Sequence, residues 1–225
     1  MTYTPIVRGQ TDWDVPVNAA FVDQDTRITA NTANISTVTA TQDQFDSAVW
    51  RPSDQGFLAW TTDPVLSTGS SGALTSGTLY LHRFKVTTPV TVSDAWHVVA
   101  TAGGTLTAGQ NFIALYGSDG TRLAVTADLT TDWGTTGLKT SAFTSSVLLP
   151  VGVYYIGFLS NGTTGVNVAK TATFTAGSAL NANLSASTLR TSTGGTGLTG
   201  LTVTPSTVTM SDRSAGTNTI WVAFT

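Results

Sequence analysis

Between residues 17 and 45, apolar and amide side chains recur at alternating steps of four and three: Val17, Phe21, Gln24, Ile28, Asn31, Ile35, Val38, Gln42 and Phe45. Such a heptad sets these positions along one narrow stripe and predicts a helix over residues 16–46. Asp14, whose carboxylate can accept orphan backbone N–H groups, and Pro16, which fits a first helical turn, mark its start. Asp23 and Arg27 stand four apart in the favourable order and add local support. Residues 1–15, with Pro5, Gly9 and Trp13, read as an arm ahead of the helix.

The polar members of the stripe need a reason. Thr26, Thr29, Thr32, Thr37, Thr39 and Thr41 surround it, and threonine is a poor helix former, so a lone helix of this composition is unstable in water. A seam shared between copies of the chain answers both points. Bundling supplies the missing burial, while Gln24 and Asn31 cost stability but fix register and strand number. The alternative is one amphipathic helix lying on its own domain, with the two amides at the edge of the buried face.

After the helix the period changes. Residues 47–77 hold Pro52, Pro64, several Gly, Trp50 and Trp60, and read as a linker in which residues 57–61 add a strand. From 78 to 225, short alternating runs punctuated by turn residues give the rhythm of an antiparallel β-sandwich, not of alternating strand and helix. Strands are expected at 79–86, 90–101, 112–127, 141–149, 152–162, 166–174, 201–210 and 219–225. Asp119-Gly120 supplies the turn of a hairpin inside 112–127. A strand over 219–225 would sew that end into a sheet, so its removal is expected to damage folding. Residues 175–200, rich in Ala, Ser, Thr and Gly, read as a long loop, functional or mobile.

Composition strengthens the β assignment. Threonine fills 45 of 225 positions, Glu is absent, and charged residues make up 10% against roughly 25% in an ordinary soluble domain. The net charge of −3 comes from 13 Asp against 10 Lys and Arg spread along the chain. No basic stripe is formed, and nucleic acid is not an expected partner. Without Cys there is no disulfide framework, thiolate nucleophile or zinc knuckle. No window approaches the ~18 consecutive apolar residues of a membrane span, and MTYTPIVRGQ lacks the basic-then-apolar order of a signal peptide. Neither membrane insertion nor signal-peptide secretion is expected.

Candidate chemistry is sparse. His82 and His97 fall within expected strands and read as partly buried sheet residues. Asp119, Asp128 and Asp132 form the only local acidic cluster; they read as a turn residue, a strand-end cap and a solvated loop residue, not as a pair of catalytic carboxylates. Neither Asp12 with Asp14 nor Asp23 with Asp25 has the further oxygen ligands of a calcium loop. No catalytic residue, metal site or cofactor is expected. Aromatic rings are the remaining resource for recognition, since a flat ring can stack on a sugar face. Trp133, with neighbouring Asp132, and Trp60 near the linker are the candidate ligand contacts; Trp96 and Trp221 alternate with strand neighbours and read as core.

FIALYGSDGTRLAVTADLTTDWGTTGLKT followed by LLPVGVYYIGFLSNG resembles the β-sandwich modules of minor tail proteins and tail fibres of actinobacterial bacteriophages. Such modules show an "ALY…DGT.LA.TADL…W…G" run and then an "L..G.YY.....L.NG" strand. The resemblance covers mainly residues 105–162. WDVPVNAAF ahead of a polar heptad is similar to the attachment ends of phage fibres, where short trimeric coiled coils carry Asn and Gln inside the seam. It implies a homotrimer with Val17, Phe21, Gln24, Ile28, Asn31, Ile35, Val38 and Phe45 at the interface, and a jelly-roll-like sandwich. It further implies a virion location after assembly in the host cytoplasm, attachment to other tail or capsid proteins through the arm, and adsorption to host cell-surface glycan. The chain lacks the long repetitive shaft, collagen-like run and β-helical depolymerase body of many fibres, which makes it a short fibre or knob. Alternatives are a capsid decoration or head fibre protein, a glycan hydrolase or esterase, and a secreted carbohydrate-binding module.

Overall fold

The computed structural model describes residues 14–48, 50–68, 72–172 and 179–225. Its contacts divide the chain into two units, residues 1–50 and 51–225. The expected arm, apart from its last two residues, lies outside the described residues.

The heptad stretch forms one helix, Asp14–Ala48, of 35 residues and about 50 Å. It overruns the expected span by two residues at each end. The threonines fit by turning inward on the backbone: Thr26, Thr32, Thr37, Thr39 and Thr41 each donate to the carbonyl four residues earlier at 2.8–3.0 Å. Those bonds satisfy the hydroxyls but bury no apolar surface. Every side chain from residue 19 to 41 is exposed, Gln24 and Asn31 included. On the stripe, Phe21, Ile28, Ile35 and Val38 expose 61%, 54%, 67% and 68% of their surface, so no covered face exists over this stretch. Val17 and Phe45 lie outside the residues whose side chains are described.

With 42% strand against 21% helix, the protein is mainly β, with antiparallel sheets and one N-terminal helix. One sheet has six strands, in the order Arg213–Ala215, Thr191–Gly195, Leu79–Val86, Gly152–Leu159, Phe112–Gly117, Arg122–Val125. The other has five. Ala59–Trp60 pairs with Ala223–Phe224, which pairs with Val90–Thr101. Gly137–Leu149 and Asn167–Val168 lie on opposite edges of that long strand, because Val99 pairs with Gly137 on one side and Val168 on the other.

The two sheets face one another, as in a sandwich. Phe84, Ile113, Leu115, Ile156 and Phe158 of the first share a buried cluster with Val92, Ala95, Val99, Val168 and Phe224 of the second. Phe84 stacks on Phe224 with ring centroids 4.5 Å apart. The six-stranded sheet is covered on its outer face as well, where Leu79, Leu81, Tyr116, Tyr155 and Leu159 pack with Leu198, Val208 and Met210. Burial on both faces explains why FIALY and YYIGFL read as nearly continuous apolar runs instead of alternating ones.

Several segments depart from expectation. The expected strand 166–174 divides into Asn167–Val168 and Lys170–Thr171, which belong to different sheets, and its last two residues lie outside the described residues. The stretch 201–210 forms no named strand; it lies as an irregular cover, held by Arg122 N–H to Ser206 O and Val208 N–H to Gly120 O, both 2.9 Å. Leu201, Val208 and Met210 pack on a sheet without belonging to one, while Val203 stays exposed. Within the expected loop, Thr191–Gly195 instead pairs with Leu79–Val86. The expected linker contributes an edge strand, Ala59–Trp60, and the buried residue Leu74 to the β unit. The Asp119-Gly120 hairpin is present: Gly120 takes φ +87°, and a Cβ there would lie 2.0 Å from the Val208 carbonyl oxygen.

Candidate binding cavity

A cavity of about 890 Å³ opens in the β unit where residues 58–62 approach the strand Leu79–Val86. Trp60 belongs to its wall and is held there by the sheet: Trp60 pairs with Ala223, Leu58 N–H donates to Phe224 O at 2.8 Å, and Thr61 N–H donates to Val222 O at 2.9 Å. The opposite wall is Arg83, Phe84 and Lys85, followed by Thr87, Thr88 and Val90. Strand alternation sends buried Phe84 to the core and leaves Arg83 and Lys85 on the other face. Arg190 joins them because Arg83 N–H donates to its carbonyl at 2.7 Å, where Thr191–Gly195 comes alongside.

The cavity is strongly positive. Arg51, Arg83, Lys85 and Arg190 line it, four of the ten Lys and Arg residues, and among the described lining residues there is no Asp, Glu or His. The carboxylates nearest in sequence, Asp54 and Asp63, accept the backbone N–H groups of Arg51 and Val65 at 2.8 and 2.9 Å. Arg83 Nη1 donates to Thr188 O at 2.8 Å, which orients the guanidinium. Further back, buried Arg213 lies over the Tyr155 ring at 4.4 Å and donates to Met210 O, Leu189 O and Tyr155 Oη, each a neutral acceptor. Burial lowers the Arg213 pKa, Tyr155 partly offsets this, and Arg83 lowers it further.

No family model, curated protein or solved structure matches the chain. The cavity itself presents cations, hydroxyls and one half-exposed indole, with no carboxylate or imidazole among its described lining residues.

Of the residues singled out from sequence, Trp60 lines the cavity; Asp132 and Trp133 do not. Trp133 is fully buried, which corrects its reading as a ligand contact. The short helix Thr130–Trp133 turns its ring inward, stacked on Phe158 with a 6.1 Å centroid separation, and its Nε1–H donates to His97 Nε2 at 2.9 Å. Asp132 is exposed beside it. Asp128 caps the backbone: burial raises its pKa, but hydrogen bonds from Gly109, Thr130 and Asn111 outweigh that and hold it low. Asp119 is held low by the Thr121 amide and hydroxyl, as a turn residue should be.

Both histidines are fully buried. Burial, with Lys139 adding to it, pushes His97 down to about 4, and burial with Lys170 pushes His82 down to about 3. Among the described residues no group of three His, Cys, Asp or Glu forms a metal cluster. No described helix is long and apolar enough to cross a membrane.

Proposed function

We propose that the protein is a bacteriophage virion structural protein, a short homotrimeric tail fibre or knob that adsorbs to host-surface glycan. Helices of three chains bundle through Val17, Phe21, Gln24, Ile28, Asn31, Ile35, Val38 and Phe45, and a jelly-roll-like sandwich faces the host. The observation that carries this reading is the uncovered stripe. A 35-residue helix rich in threonine keeps Phe21, Ile28, Ile35 and Val38 more than half exposed, whereas helices in proteins draw most of their stability from packing an apolar face. Amides on a heptad stripe are the mark of a seam that specifies register.

The resemblance of residues 105–162 to phage tail modules supplies the virion setting, and residues 1–15 would hold neighbouring tail or capsid proteins. The cavity supports binding over cleavage, since charge and hydroxyls hold a ligand while none of the described residues lining it is a carboxylate or an imidazole. Trimerisation turns three weak sites on one rigid body into tight attachment to a repetitive surface.

Light scattering on the purified full chain tests the assembly: the expected mass is three times 23.3 kDa. A monomer with an intact helix overturns the reading. Antibody labelling of purified particles tests the setting, with label expected on the tail; label on the head would favour a head fibre or decoration protein.

A further inference from the structure

We propose that the 890 Å³ cavity binds an anionic saccharide, a sugar unit bearing a carboxylate or a phosphate. That the anion belongs to a saccharide rests on the adsorption reading above; that the ligand is an anion rests on the cavity alone.

Charge is the first argument. Three separate stretches of chain bring Arg51, the Arg83 and Lys85 pair, and Arg190 to one concavity, in a protein whose net charge is −3. Crowding cations is unfavourable unless something offsets it. Among the described residues that line the cavity, none is acidic. Buried Arg213 adds a further positive charge close enough to feel Arg83, and its hydrogen-bond acceptors are neutral. A ligand anion would offset the positive charge that Arg83, Lys85 and Arg190 bring together.

Geometry narrows the class. Guanidinium groups present paired N–H donors that match carboxylate or phosphate oxygens two at a time. The Thr188 carbonyl holds one nitrogen of the Arg83 guanidinium, which leaves the other N–H groups for a ligand. Trp60, half-buried in the wall, offers an aromatic surface for a sugar ring, and Thr62, Thr87 and Thr88 offer hydroxyls. The volume falls in the range of small-ligand pockets, about 300–1,000 Å³. Nucleic acid fits less well. Its recognition needs cations spread along a track, whereas these converge on one cavity of a net-negative chain.

The test is calorimetric titration of the purified full chain with four probes: a glucuronate oligosaccharide, a glycerol-phosphate oligomer, a neutral glucose oligomer of equal length, and a single-stranded DNA oligonucleotide. At least one of the first two is expected to bind, more weakly as salt rises; which one binds separates carboxylate from phosphate as the source of charge. Lys85→Gln and Arg190→Gln alter exposed side chains, so the melting temperature should hold while affinity drops about tenfold or more for each lost charged contact.

Equal binding of the neutral oligomer, preference for DNA, unchanged affinity in both variants, or no acidic binding up to about 10 mM, beyond the weak single-site range, would each overturn the proposal. The two readings fail separately. Particles that carry the protein and adsorb normally with both variants retain the appendage reading and remove the cavity assignment. Acidic binding by a protein absent from particles does the reverse.

Discussion

The helix and the β unit solve opposite problems. In the β unit, the strands Leu79–Val86, Phe112–Gly117 and Gly152–Leu159 carry apolar residues on both faces, and one face is sealed by the opposing sheet while the other is sealed by residues 198–210. In the helix, no side chain between residues 19 and 41 is covered. One unit therefore holds itself together through about 1.5–3 kcal/mol for each large side chain removed from water, and the other, over residues 19–41, has its backbone hydrogen bonds but no buried apolar face. The difference teaches where each unit finds its stability: the sandwich finds it within one chain, and the helix, on the reading proposed above, would find it in other copies.

The contrast breaks most completely with Ile28→Asp combined with Ile35→Asp. Two carboxylates in the stripe should abolish the helical circular-dichroism signal and reduce the mass to a single chain, while the β unit melts where it did before. Trp133→Ala should do the converse. Emptying a fully buried indole site typically costs about 3–5 kcal/mol, so urea should unfold the β unit much earlier, with assembly through the helix retained. Trp133→Phe keeps much of the packing but strands His97 Nε2 without its donor, a loss of about 1–3 kcal/mol in the same titration.

Acid should separate the units next. His97 and His82 have folded values of about 4 and about 3, below their ordinary 6.5. Between pH 6.5 and 4 the unfolded chain binds protons that the folded chain refuses. Stability is thus fully present above pH 6.5 and is lost as pH falls through that window, on the order of 1 kcal/mol per pH unit for each imidazole. Melting of the β unit should fall steeply from pH 7 to 4.5, while the helix, which contains no His, responds less. The smallest effect is expected from Asn31→Ile: the helix should gain about 1 kcal/mol in thermal melts and lose its single well-defined mass, because the amide that fixes register is gone.

Much of the architecture was legible because the relevant signals are local. The heptad predicted the helix to within two residues at either end, and the alternation at 79–86 and 90–101 gave those strands their observed limits. Thr191–Gly195 was not legible. Its small side chains carry no hydrophobic period, and Gly194 and Gly195 adopt φ of +63° and +134°, beside a register shift against Arg213–Ala215. At 201–210 the pattern misled, since Leu201, Val208 and Met210 answer to a sheet beneath them and not to neighbours alongside.

The cavity divides in the same way. Trp60 could be named as an aromatic near a joint, whereas the cations come from positions 51, 83, 85 and 190, and only the fold brings them together. Arg83 and Lys85, two apart in an otherwise apolar strand, were the one local hint. Trp133 was misplaced because a polar flank, Asp132, disguises a four-residue helix that points its ring inward.

The pairing of Ala59 with Phe224 has a kinetic consequence. Residues 58–62 can dock only after a segment some 160 positions downstream has found them, and loops of such span close late in folding. The wall that carries Trp60 is therefore expected to be a final piece laid down, on a sandwich whose other strands are already in place. Ligand capture would then report complete maturation of the chain, and a chain stalled one step short would keep nearly all its strands yet stay blind to its target.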